Sequence, residues 1–343
     1  MSKSELKITA ELFPNLVLHI MSCASIGTEQ DEKYNKRFKE TLTPNERSTI
    51  VNMRNEFTRT PPAEASPLYQ FLFHIPCYFP AESINEVVMI YDLVKKSIQE
   101  SSFAPFEDSY PVEVRMIYKS FPHKFEGLIF AESRTKINDV NKSIDIFKNV
   151  LSACYTRFYA DYWQEVRVKI RPVVNKIYEK INNINLIEEW NGITGLQFPY
   201  PYFHAILCEP TKSLATSLQA EKVIFSSRRK IDEIVDMIIH EIGTHIFYQK
   251  ALFEIKRLRE VLFKDPNGLV RIIEIASEYL RKPISNKLKV DSKLSVTQCF
   301  KAENEYKIFQ QIHEGGNYKD IYEAIFSAYN KSKVKKDQKY VQP

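Results

Sequence analysis

"IIHEIGTHIF", Ile238 to Phe247, is the stretch on which the reading of this chain turns. A His-Glu pair is followed by a second histidine, but five residues after the first, at His240 and His245. A regular helix turns by about 100° per residue, so side chains at i and i+4 lie about 40° apart and can share an ion. At i and i+5 the separation is about 140°, and the two imidazoles converge only if the helix absorbs one extra residue as a π-bulge. Gly243 lies inside the interval. It tolerates such a distortion and weakens a plain helix by about 1 kcal/mol relative to alanine. The bland alternative is two ordinary histidines on a core helix.

Working outward, Ile231, Ile234, Val235, Ile238, Ile239 and Ile242 recur at helical spacing. They predict an apolar helix that carries His240 into the core, capped by Ser226 or Ser227. Before it, "EKVIF" (Glu221 to Phe225) predicts a short strand. After it, "KDPNGL" predicts a turn at Asp265 to Gly268. A further helix is expected from Leu269 to Arg281, ending before Pro283. Glu274 and Glu278 share one face of that helix. Glu274 lies within "IIEIAS", where an unpaired carboxylate among apolar neighbours is costly. A bound cation would account for it, and Glu278 is the second candidate.

Two imidazoles and a carboxylate, with a fourth position open to water, suit zinc. The residues therefore predict Zn2+ on His240, His245 and Glu274. Glu241, adjoining the first ligand, is the expected general base toward the water.

"HEIGTH", His240 to His245, resembles the signature of the microtubule-associated tyrosine carboxypeptidases, within a wider group that carries a downstream QEGLA-like segment. The resemblance covers roughly residues 223–277. It implies a zincin-like metallopeptidase that removes the C-terminal tyrosine of α-tubulin. His240 and His245 would be zinc ligands, Glu241 the catalytic base, and Glu274 in "IEIAS" the third ligand. "IEIAS" lacks the Gly-Leu pair of the family segment, and a gapless alignment sets Ile273 at the ligand position. Tyr248 stands where family members carry arginine.

A carboxypeptidase needs a cation for the terminal carboxylate, best supplied by arginine's bidentate fork. Arg228 and Arg229 are the candidates closest in sequence to the helix, with plain surface charge as the alternative. "KVIF" is the expected edge strand for laying out a peptide. Tyr248 is a candidate donor toward the substrate, against simple packing. Two other readings remain beside the tubulin enzyme. One is a metallopeptidase with a different peptide substrate, and the other a degenerate member that binds microtubules or another acidic partner.

The rest of the chain frames this site. Its 343 residues are 44% hydrophobic, enough for a sizeable core. A formal charge of +5 favours an acidic partner without specifying nucleic acid, and none is expected. Five cysteines with no paired spacing read as buried free thiols in a reducing, cytoplasmic setting. The start makes a poor signal sequence, secretion being the alternative, and no stretch reaches the roughly 18 apolar residues of a membrane span. Capping boxes begin helices at Thr43 and Ser83. "PVEVRMIYKSF" alternates as a strand near Val112 to Tyr118. A long helical run from Ile137 to Ile184 is expected to break or kink at Pro172. Residues 58–67 and 188–203 read as loops. The expected fold is α+β, predominantly helical, with a small sheet beside the metal helix. The expected domains are a helical region over 1–190, a catalytic region over 191–330 and a basic tail over 331–343.

Overall fold

The computed structural model describes residues 4–26, 32–57, 70–120, 130, 137–253 and 255–339. The chain forms two compact units, neither contiguous in sequence. The first takes Met1–Leu6, Tyr178–Phe203 and Lys230–Pro343; the second takes Lys7–Ile177 and His204–Arg229. The expected boundary at residue 190 thus falls inside the first unit. The class is α+β, mostly helical with one four-stranded sheet.

The strands are β1 (Glu5–Thr9), β2 (Tyr202–Cys208), β3 (Thr216–Gln219) and β4 (Lys222–Ser226), in the order β1-β2-β4-β3. The strand expected at Glu221–Phe225 is β4, one residue later, and it is an inner strand between β2 and β3 rather than the edge strand expected of "KVIF". β4 runs parallel to β2, with Ala205 opposite Val223 and Leu207 opposite Phe225. All five of its residues are buried, as an inner strand requires. β3 returns antiparallel to β4 through a turn at Ala220, whose φ of 45° is left-handed.

In the second unit both capping boxes are present. Thr43 N donates to Glu46 Oε2 at 2.7 Å while Glu46 N donates to Thr43 Oγ1 at 3.2 Å, opening the helix Pro44–Phe57. Ser83 and Glu86 open Ile84–Glu100, whose Val87, Ile90, Tyr91 and Val94 are buried. The strand expected near Val112 is instead the helix Pro111–Ser120. Proline suits a first helical position, and the buried pair Val114 and Ile117 has helical spacing, while Val112 is exposed. The long helical run persists from Ile137–Cys154 through a π turn at Tyr155–Tyr159 to Ala160–Ile181. Pro172 does not end it. The ring is on the exposed side, and the carbonyl it displaces belongs to Val168, itself 73% exposed and open to water. Residues 58–67 lie outside the described residues. Four cysteines are buried thiols as expected; Cys299 is exposed.

In the first unit the helix Leu186–Thr194 takes in the first seven residues of the segment 188–203 expected to be a loop. Asn185 Oδ1 caps it, accepting from Ile187 N and Glu188 N, and Gly195 ends it at a φ of 69°. The motif helix runs Ile231–Phe253. Ser226 and Ser227 do not cap it, because Ser226 belongs to β4 and receives Arg228 N. "KDPNGL" is a helix start rather than a free turn: Asp265 Oδ1 accepts from Gly268 N at 3.0 Å, with Pro266 the first helical residue. That second helix, Pro266–Lys287, carries Pro283 on its exposed side and continues past it. Residues 331–339 of the expected tail continue the last helix, Ile321–Lys339. No helix among the described residues is long and apolar enough to cross a membrane.

Candidate metal centre

The motif helix packs against Pro266–Lys287 within the first unit. Its buried face includes Ile234, Val235, Ile238, Ile239, Ile242 and Ile246. Each such side chain contributes about 1.5–3 kcal/mol by leaving water. This packing overrides the local weakness at Gly243. The helix is regular α from Ile231 to Phe253, and the π-bulge expected between His240 and His245 is not formed. Among the described residues the π turns lie elsewhere, at Gln70–His74 and Tyr155–Tyr159.

Gly243 has a different physical reason. A Cβ built there would lie 2.4 Å from Cζ2 of Trp190, closer than carbon atoms approach. Trp190 is fully buried, and its Nε1 donates to Ile239 O at 2.7 Å. The glycine is the seat of an indole. Sequence reasoning missed Trp190, although a glycine inside an apolar helix does signal a close approach.

On the regular helix the two histidines make different hydrogen bonds. His240 is buried, and its Nε2 donates to Glu274 Oε2 at 2.7 Å. Its Nδ1 is buried with no hydrogen-bond partner among the described residues. Tyr248 Oη donates to Glu274 Oε1 at 3.2 Å, so His240 and Tyr248 hold the two oxygens of one carboxylate. His245 Nδ1 instead donates to the main-chain oxygen of Glu241 at 2.7 Å, and Phe203 stands edge-on to the ring at 5.4 Å. A carbonyl oxygen only accepts, so the proton of His245 sits on Nδ1. Among the described residues no three histidine, cysteine, aspartate or glutamate side chains are gathered as a metal ion requires. Glu278 is spent otherwise: it accepts from Ser295 Oγ at 2.9 Å and from Thr297 N and Oγ1, fixing the start of the helix Val296–Phe300.

The electrostatics are those of two carboxylates that a single cation, Arg281, compensates only in part. Burial, then the charge of Glu274, pushes the Glu241 carboxyl up to about 8; Thr244 Oγ1, 3.3 Å from its Oε2, draws it partly back. Arg281 also draws Glu241 down, but its Nη2 is committed to Asp236 Oδ2 at 2.9 Å and to Leu294 O at 3.1 Å. Burial pushes His245 down to about 4, so at neutral pH Nε2 carries a lone pair. Burial raises the Tyr248 phenol well above its usual range, and it stays a donor. The donor chemistry fits a divalent cation. Two of the three expected ligands already face each other; the third, His245, has its Nδ1 on Glu241 O and 4.0 Å from Glu241 Oε2.

Arg228 and Arg229 belong to the second unit, as does "KVIF" within β4, whereas the centre belongs to the first. Arg229 Nη2 donates to Lys212 O at 2.8 Å. No family model, curated protein or solved structure matches this chain.

Proposed function

We propose that the chain is a zinc metallocarboxypeptidase acting on acidic C-terminal tails. The C-terminal tyrosine of α-tubulin is the substrate that the "HEIGTH" resemblance implies, in a cytoplasmic, microtubule-associated setting. The observation that carries this reading is the group of His240, Glu274 and Glu241, two carboxylates and an imidazole that Arg281, bonded to Asp236, compensates only in part. His240, Glu274 and His245 would hold the ion. Bound there, zinc supplies Lewis acidity toward a carbonyl and lowers the pKa of water.

The chain's own residues do the rest. Glu241 takes the proton of the attacking water and returns it to the leaving amine. It needs to be ionised for that, and a cation beside Glu274 favours the charged form of both carboxylates. Tyr248 orients Glu274 through Oε1. The direction of His245 supports a second reading, a degenerate member that binds an acidic partner without catalysis.

The test is zinc per chain, then hydrolysis of peptides ending in Glu-Glu-Tyr. Wild type should hold one equivalent. Glu274→Ala should lose it and Glu278→Ala keep it. Glu241→Gln should keep zinc and lose at least about 100-fold in rate. Wild type that takes up no zinc after reloading would sink the enzyme reading and leave the partner-binding one.

A further inference from the structure

The turn from Ile239 to His245 receives more hydrogen bonds than a helix supplies. A helical carbonyl ordinarily accepts one main-chain N–H, four residues on. Here Ile239 O also accepts from Trp190 Nε1 at 2.7 Å. Glu241 O also accepts from Thr244 Oγ1 at 2.9 Å and from His245 Nδ1 at 2.7 Å. Extra donors of this kind loosen the ladder and bend helices. Ile239 O and Gly243 are the two ends of one ladder position, and Trp190 touches both, bonding the carbonyl and filling the missing Cβ of the glycine.

A one-residue bulge at this position gives up that ladder bond and rotates His245 by about 100°, from about 140° away from His240 to about 40°. A bulge inside a packed core normally strands a carbonyl, which costs about 1–3 kcal/mol. Here the stranded carbonyl already has the indole as its donor. We propose that Trp190 is a positioning residue for the metal centre: it holds the Ile239–His245 turn ready to bulge when a divalent cation binds, bringing His245 from Glu241 O to His240 and Glu274. This rests on the zinc reading of the same site, and it resolves how an i, i+5 pair on a regular helix could serve one ion.

The experiment uses the full chain, metal-free, in a Trp163→Phe background so that Trp190 is the single emitter. Co2+ is titrated in, reading visible absorption for the ligand set and Trp190 emission for the turn. The expected result is one cobalt per chain with a shift of Trp190 emission. His245→Ala should weaken cobalt binding about 10- to 100-fold and change its absorption bands. In the parent with Trp163 intact, Trp190→Phe keeps a ring but removes the N–H, and should weaken binding about 10-fold at unchanged far-UV circular dichroism. If Trp190→Phe fails to fold, the His245→Ala titration and the emission shift decide alone. Cobalt bound equally tightly, with identical bands, by wild type and His245→Ala overturns the inference and leaves a site on His240 and Glu274. No binding of cobalt or zinc by wild type removes the zinc reading, and this inference with it.

Discussion

Each unit buries a cluster of ionisable side chains, and the two clusters are built on opposite principles. In the second unit Glu11, His204, Glu221 and Lys222 sit together. Lys222 is 2% exposed; its Nζ donates to Tyr78 O at 2.7 Å and stands 4.8 Å over the Tyr78 ring. Tyr78 Oη in turn donates to Glu221 Oε2 at 2.9 Å. Burial raises both Glu11 and Glu221, and the lysine draws both back. In the first unit Glu241 and Glu274 repel one another, and Arg281, which draws Glu241 down, is committed to Asp236. A cluster that carries its own counter-charge is built for stability. One whose counter-charge is bonded elsewhere stores unfavourable energy, which a ligand can release.

The contrast can be broken most sharply at Lys222. Lys222→Met leaves buried Glu221 without its cation and Glu11 with Lys7 alone, and should cost about 3–5 kcal/mol in denaturant unfolding. A loss below about 1 kcal/mol would make the two clusters alike.

Acid gives the next largest effect. Burial pushes His19 and His204 down to about 3 in the folded chain, against about 6.5 unfolded. Between those values the unfolded chain binds more protons, so stability is full above about pH 6.5 and falls as pH drops toward 3. Each histidine adds a slope of about 1.4 kcal/mol per pH unit. His19→Gln should flatten the measured slope by about that amount, and an unchanged slope would show that His19 is not buried neutral.

Gly243→Ala pushes a methyl into the Trp190 indole and should cost about 1–3 kcal/mol. Adding Trp190→Ala should remove much of that penalty in a double-mutant cycle. Additive losses would separate the two residues.

The last effect has the opposite sign. The metal-free Glu241 carboxyl is raised to about 8 from 4.5. It therefore favours the folded state below about pH 4.5 and loses that advantage as pH rises toward 8. Glu241→Gln should equal wild type near pH 4.5 and gain on it as pH rises toward 8, with a slope of at most about 1.4 kcal/mol per pH unit. A loss of stability at pH 8 would place Glu241 with the self-compensated cluster.

The elements legible in the sequence were those set by local rules. The capping boxes at Thr43 and Ser83 need only four residues to form, and β4 announced itself by a short apolar run. The errors arose where exposure or tertiary packing decided. Alternation at Val112 to Tyr118 looks like a strand, but Pro111 and the buried pair Val114 and Ile117 make it a helix. Pro172 and Pro283 interrupt nothing because they face outward. At the candidate site the proximity of His240 and Glu274 was legible, since a glutamate inside an apolar helix asks for a partner. The regularity of the turn was not, because Trp190 lies some 50 residues before Gly243 and no local pattern links them.

The interleaving of the two units shapes how the chain can fold. Residues 7–177 emerge long before 204–229, which bring most of β2 and all of β3 and β4 to the same unit. Until then β1 has no neighbour to pair with, and the helices of that unit have no sheet. Pairings across such sequence distances are paid in loop-closure entropy before any contact rewards them, so folding is slow and late. A fragment ending at residue 190 would stop with its own sheet still unwritten.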